Sequence, residues 1–194
     1  MLSLREKTAF YFEDIQTNLG LALNLTILSL ILVSLGIFVA LTYPLSPQLS
    51  ACLRSIDLTI LVIFTVEYFL RFWSAASRRK FFFSIFSIID LLAILPLLLL
   101  SGAIDFSFLR IFRWFRILRI IRFWRLETKL FGIKTEDGVI FIRIFLTLFS
   151  LIFVYAGLIY QVEHNVNDRG LNNFFDAFYF VVVTMTTVGY GDVT

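Results

Sequence analysis

The chain has 194 residues, 59% of them hydrophobic and 18% aromatic, with a formal net charge of only +3. This is the composition of a membrane protein, and its small cationic surplus gives no reason to expect a nucleic-acid partner. Cys52 is the single cysteine, which excludes an intrachain disulfide or a cysteine metal cluster; with no cofactor loop or nucleophile–base set, there is no enzymatic reading either.

Residues 1–19 mix charges and aromatics and are expected to form a cytoplasmic or interfacial amino-terminal segment with a short helix. A first apolar span is expected over residues 20–43, closed by a short loop containing Pro44 and Pro47. It is long enough to cross a hydrocarbon core of about 30 Å. It follows acidic residues and has no small-residue cleavage pattern, so it reads as a retained span and not a signal peptide. Asn24 opens a glycosylation triplet, but its place in the span speaks against that use.

A second span over residues 55–73 carries Asp57, Phe64, Glu67 and Arg71. On a helical wheel Asp57 and Phe64 lie about 20° apart and Glu67 about 80° from Asp57. One side of the helix therefore presents an outer acid, a ring and an inner acid. Arg71 stands one turn below Glu67, where the two can pair. The basic cluster of residues 78–80 follows. A third span over residues 85–100 carries Asp90, expected to join Glu67 as an inner acid pair, and Pro96, tolerated as a kink.

Residues 109–125 read LRIFRWFRILRIIRFWR, with Arg110, Arg113, Arg116, Arg119, Arg122 and Arg125 at every third position and only apolar residues between. Six arginines at the centre of a bilayer would cost roughly 15–21 kcal/mol. The interleaved apolar residues recover roughly 3–7 kcal/mol. The fourth span therefore needs acids on its neighbours. In an α-helix each arginine falls about 60° behind the last, so the cations wind around the axis as a spiral. Only in a 3₁₀ helix would they line up. A spiral of cations is poor for lying flat on a membrane surface and suits sliding past a fixed acid.

Residues 126–138 turn polar and are expected to form a linker helix along the inner surface. A fifth span over residues 139–162 and a polar loop over residues 163–170 follow; His164, the lone histidine, reads as solvated there. Arg5, Lys7, the 78–80 cluster, Lys129 and Lys134 fall on one side of the membrane, which places the amino terminus in the cytoplasm. Residues 171–184 are apolar but reach only about 20 Å as a helix, the length of a re-entrant half-helix. Asn172 or Asn173 can cap its start, and the negative end of its dipole would favour a cation at mid-membrane.

The string TMTTVGYGD then occupies residues 184–192. Thr187, Val188, Gly189, Tyr190 and Gly191 resemble the selectivity filter of potassium channels letter for letter. The resemblance implies that carbonyls of Thr187, Val188, Gly189 and Tyr190 replace the water shell of a dehydrated K⁺. The glycines permit backbone angles that a side chain would block, with Val188 and Tyr190 packed back against the half-helix. One such strand cannot encircle an ion, and the chain holds a single copy, so a homotetramer is expected. Tyr179 stands where relatives often have a tryptophan that bonds the aspartate after the filter; its hydroxyl could support the filter through Asp192.

The first four spans together resemble the voltage-sensor domain of voltage-gated potassium channels. On that resemblance Phe64 is the plug of a charge-transfer centre with Glu67 and Asp90 beneath it, and Asp57 is the outer acid. Arg110, Arg113, Arg116 and Arg119 are the main gating charges, followed by Arg122, where many relatives carry lysine, and Arg125. Three charges per chain moved in four chains through 100 mV supply roughly 28 kcal/mol.

The expected fold is an all-α membrane protein. Its voltage sensor covers residues 20–125, its linker residues 126–138, and a partial pore domain residues 139–194. The sequence stops at Thr194, before the sixth span of that family, and reads as a piece of a longer channel of prokaryotic type. The expected function is a voltage-gated, K⁺-selective subunit of a plasma-membrane homotetramer, with the lipid bilayer, three further copies and K⁺ as its partners and no cofactor. The alternatives are a ligand-gated K⁺ channel with a structural arginine helix, and a non-conducting regulatory subunit.

Overall fold

The computed structural model describes residue 12 and residues 17–99, 114–121, 135–163 and 171–193. All regular structure among them is helical. The expected interfacial helix, the linker up to residue 134 and the loop around His164 lie outside the described residues, apart from Phe12.

Helix α1 is Asn18–Ala40, begun where Thr17 Oγ1 accepts from the Gly20 amide at 3.2 Å. Helix α2 is Pro47–Ser74, and its start corrects the expected boundary at residue 55. Pro47 opens this helix and is no part of a loop. The first helical residue has no use for an amide hydrogen, and the fixed φ of proline suits that position. Ser46 caps it, accepting from the Leu49 amide at 3.4 Å. The basic cluster forms the short helix α3, Arg78–Phe82, and the third span is α4, Ile85–Leu99.

Residues 114–121 of the fourth span are a 3₁₀ helix, so the α-helical spiral does not hold over this stretch. Side chains three apart eclipse in that geometry, which puts Arg116 and Arg119 on one side. From that side Arg116 reaches Asp57 and Arg119 reaches Asp90. The fifth span is α5, Glu136–Glu163, so residues 136–138 belong to it and not to a separate linker. The half-helix is α6, Phe174–Met185.

By length and composition α1, α2 and α5 can each cross a membrane, and α6 and most of α4 are shorter apolar helices. α1, α2 and α4 close around the 3₁₀ segment, where Ile31, Phe64, Ile94 and Ile117 are fully buried. The same core continues through Trp114 into Phe153 of α5 and Phe174 of α6. The outer faces are apolar too: Val66 and Phe69 on α2, and Phe141, Ile144 and Phe145 on α5, are exposed. In lipid such a surface carries no penalty.

Candidate functional site

Asp57, Phe64, Glu67 and Arg71 follow one another at helical spacing, and all four are buried on α2. An ionised carboxylate in such a place is stable only when paired and hydrogen-bonded. Each acid of the bundle has its cation. Arg116 Nη1 lies 2.6 Å from Asp57 Oδ1, Arg119 Nε lies 3.0 Å from Asp90 Oδ1, and Arg71 Nε lies 2.7 Å from Glu67 Oε1. Arg119 also donates through Nη2 to the Asp90 carbonyl at 3.0 Å, so this one residue offers both a charge and a backbone acceptor.

Of the expected inner pair, Glu67 is on Arg71 of the same helix and Asp90 is on Arg119 of the ladder. Phe64 lies between the outer and inner groups. The Arg119 guanidinium sits over its ring, 4.5 Å from the centroid. A desolvated contact of this kind is worth about 2 kcal/mol. Arg110, Arg113, Arg122 and Arg125 lie outside the described residues.

Ser34 of α1 completes the outer group and has no counterpart in the sequence reading. Its hydroxyl donates to Asp57 Oδ1 at 2.7 Å and accepts from Arg116 Nη1 at 2.6 Å. The available signal was its place on the face of α1 that also buries Ile27 and Ile31.

The second half of the site begins with the α6 cap, which falls on Asn173. Its Oδ1 accepts from the amides of Phe175 at 2.9 Å and Asp176 at 3.2 Å. Asp176 Oδ2 accepts in return from the Asn172 and Asn173 amides at 2.9 and 3.1 Å. At the other end the strand of residues 187–191 is tied to the helix it leaves. The amides of Val188 and Gly189 both donate to the Val183 carbonyl, at 3.2 and 3.4 Å.

Thr187, Gly189 and Gly191 all have positive φ, 60°, 57° and 71°, and alternate with Val188 and Tyr190. For a β-branched residue such as Thr187 this is a strained conformation of the kind that collects at functional sites. Tyr179 donates its hydroxyl to Asp192 Oδ2 at 2.7 Å, joining the half-helix to the residue that follows the strand. Val188 and Tyr190 are 53% and 70% exposed, which corrects the expectation that they pack on the half-helix. A twelve-residue helix offers a single strand one flank only, and these two side chains lie beyond it.

A model of the ion transport protein family matches residues 21–194. The chain is 35% identical over 157 residues to the hyperpolarization-activated voltage-gated potassium channel of Methanocaldococcus jannaschii, covering 81% of this chain and 72% of that one. It is 34% identical over 159 residues to the potassium voltage-gated channel protein Shal of Drosophila melanogaster, covering 78% of this chain and 28% of the relative. The A-type voltage-gated potassium channel KCND3 of Homo sapiens is 32% identical over 165 residues, with 77% of this chain and 24% of the relative covered. The match thus spans most of the archaeal relative and about a quarter of the animal ones. The chain belongs to the ion transport protein family, among its voltage-gated potassium channels.

Proposed function

We propose that this chain is a subunit of a K⁺-selective channel in the plasma membrane, with four copies around one axis and an amino terminus in the cytoplasm. Its arginine helix reads the membrane potential. The observation that carries the sensing half is the burial of Arg116 and Arg119, 2% and 1% exposed, on acids carried by different helices at successive levels of the bundle. The membrane potential does work on a charge only where the charge lies within the low-dielectric layer, at about 2.3 kcal/mol per charge per 100 mV.

The pore half rests on the strand of residues 187–191, whose residue types and alternating positive φ suit carbonyls that replace the water shell of K⁺. Four strands are needed to surround one ion. Neighbouring copies would also cover Val188 and Tyr190, exposed in the single chain. On this reading the ladder arginines are the gating charges. Phe64 is the plug they pass, Asp57 is the outer acid, Glu67 and Asp90 lie on the inner side, and Tyr179 with Asp192 braces the filter.

The test is reconstitution of the full-length protein in planar bilayers. The reversal potential is expected to follow the K⁺ gradient and to ignore Na⁺, and opening is expected to depend on voltage, in a direction that the steps themselves reveal. Arg116→Gln and Arg119→Gln should each lower the charge moved per channel. Equal permeation of Na⁺ would remove the filter assignment, and an unchanged charge–voltage slope in both variants would remove the sensing assignment.

A further inference from the structure

Trp114 lies two residues before Arg116 on the same 3₁₀ segment and is fully buried. Phe38 of α1 meets its ring edge-on at 4.1 Å, and Phe174 of α6 stacks on it at 5.2 Å with 11° between planes. Phe153 of α5 closes a third side at 5.9 Å. The fourth side is Gly157, one turn further along α5, where any Cβ would overlap the Cδ2, Cε3 and Cε2 atoms of the indole. Gly157 lies inside a helix, so what its missing side chain supplies is room. The ring occupies a notch in the fifth span.

This notch supplies what equally spaced arginines cannot. When one arginine replaces the next, each step of three residues remakes nearly the same ion pairs. The acids therefore define steps without choosing among them. A step in a 3₁₀ helix is about 6 Å, enough to carry the indole clear of a gap one residue wide. One step either way from Trp114 the ladder offers Ile111 or Ile117, neither with a ring to fill the gap. We propose that Trp114 seated over Gly157 of its own chain is the register lock of the arginine ladder, favouring the step in which Arg116 is on Asp57 and Arg119 is on Phe64 and Asp90.

The proposal rests on the reading that the ladder moves in the field, and Trp114 acts in it as a positioning residue. In full-length channels in bilayers, Gly157→Ala is expected to move the midpoint of the charge–voltage relation to more positive potentials without changing the total charge. Arg116 at the outer acid Asp57 leaves Arg110 and Arg113 ahead of it in the ladder, so the locked register is an outward one, and it would be lost. Trp114→Leu should shift it in the same direction, and the double variant should match Trp114→Leu alone, because a leucine leaves room for the added methyl. An unmoved midpoint in Gly157→Ala, or single shifts that add in the double variant, would overturn the lock.

Trp114→Cys with Gly157→Cys, in a Cys52→Ser background, tests the contact itself. Oxidation with copper phenanthroline should link the two cysteines within one chain, identified by mass spectrometry of the monomer, and should abolish charge movement until a thiol reductant is added. A link formed between chains, or none, would also overturn it. If the unaltered channel moves no charge, the voltage-sensing reading fails and the lock with it; charge movement indifferent to these variants removes the lock alone.

Discussion

Asp57 Oδ1 serves two donors, Arg116 Nη1 and the Ser34 hydroxyl, and the two deletions should differ in size. Removing one partner of a buried ion pair costs about 3–5 kcal/mol, because the other is left uncompensated. Ser34→Ala removes two hydrogen bonds to charged partners, each of the kind worth about 1.5–3 kcal/mol, but leaves the ion pair itself in place. Asp57→Asn is therefore expected to shift the charge–voltage midpoint further than Ser34→Ala, both toward positive potentials. Equal shifts would mean that the serine, and not the acid, holds Arg116. The acids were legible in the sequence because a charge within an apolar run stands out. Ser34 was not, since a serine in a span can satisfy itself on the carbonyl four residues back and so gives no sign of a partner.

At the scale of elements, propensity and composition located the helices, while their ends and their winding followed local chemistry and neighbours. The start of α2 shows this. Pro47 reads equally well as the end of a loop or the first turn of a helix, and Ser46 decides between them by capping. Arginines at every third position allow two windings, a spiral in an α-helix or a line in a 3₁₀ helix, and the pattern alone does not choose the 3₁₀ winding seen over residues 114–121. In that winding Arg116 reaches Asp57 and Arg119 reaches Asp90. The cap of α6 was visible as an asparagine pair ahead of an apolar run, and the structure selects Asn173. Asn173→Ala should cost about 1 kcal/mol of helix stability, with most of it restored by Asn173→Ser. A thermal melt of the assembled protein followed by gel mobility checks both, and an unchanged melt in Asn173→Ala would deny the cap any part in holding the strand of residues 187–191.

For the molecule as a whole, the amount of apolar surface left uncovered matters as much as the core. Val188 and Tyr190 on the strand of residues 187–191 stay open in one chain, consistent with cover from neighbouring copies. If four such strands hold K⁺, the ion offsets the mutual repulsion of their carbonyls and so binds the assembly but not the separate chains. Anything that binds only one state stabilises it by mass action. Exchanging K⁺ for an impermeant organic cation should therefore lower the temperature at which the tetramer dissociates in detergent, and an unaffected transition would argue against ion binding at the strand. The whole-molecule arrangement was legible only in outline. The filter-like letters implied several chains, but nothing in the string indicated that the first four spans share one core with the fifth span and the half-helix.

If the first four spans sense voltage as proposed, the notch at Gly157 bears on how freely they could be grafted. A chimaera that joins residues 20–125 to a foreign pore inherits an indole that must be accommodated, and a recipient with alanine or anything larger opposite it offers no vacancy. Compatibility between donor and recipient would then turn on one missing methyl group, on a helix that carries none of the three buried acids.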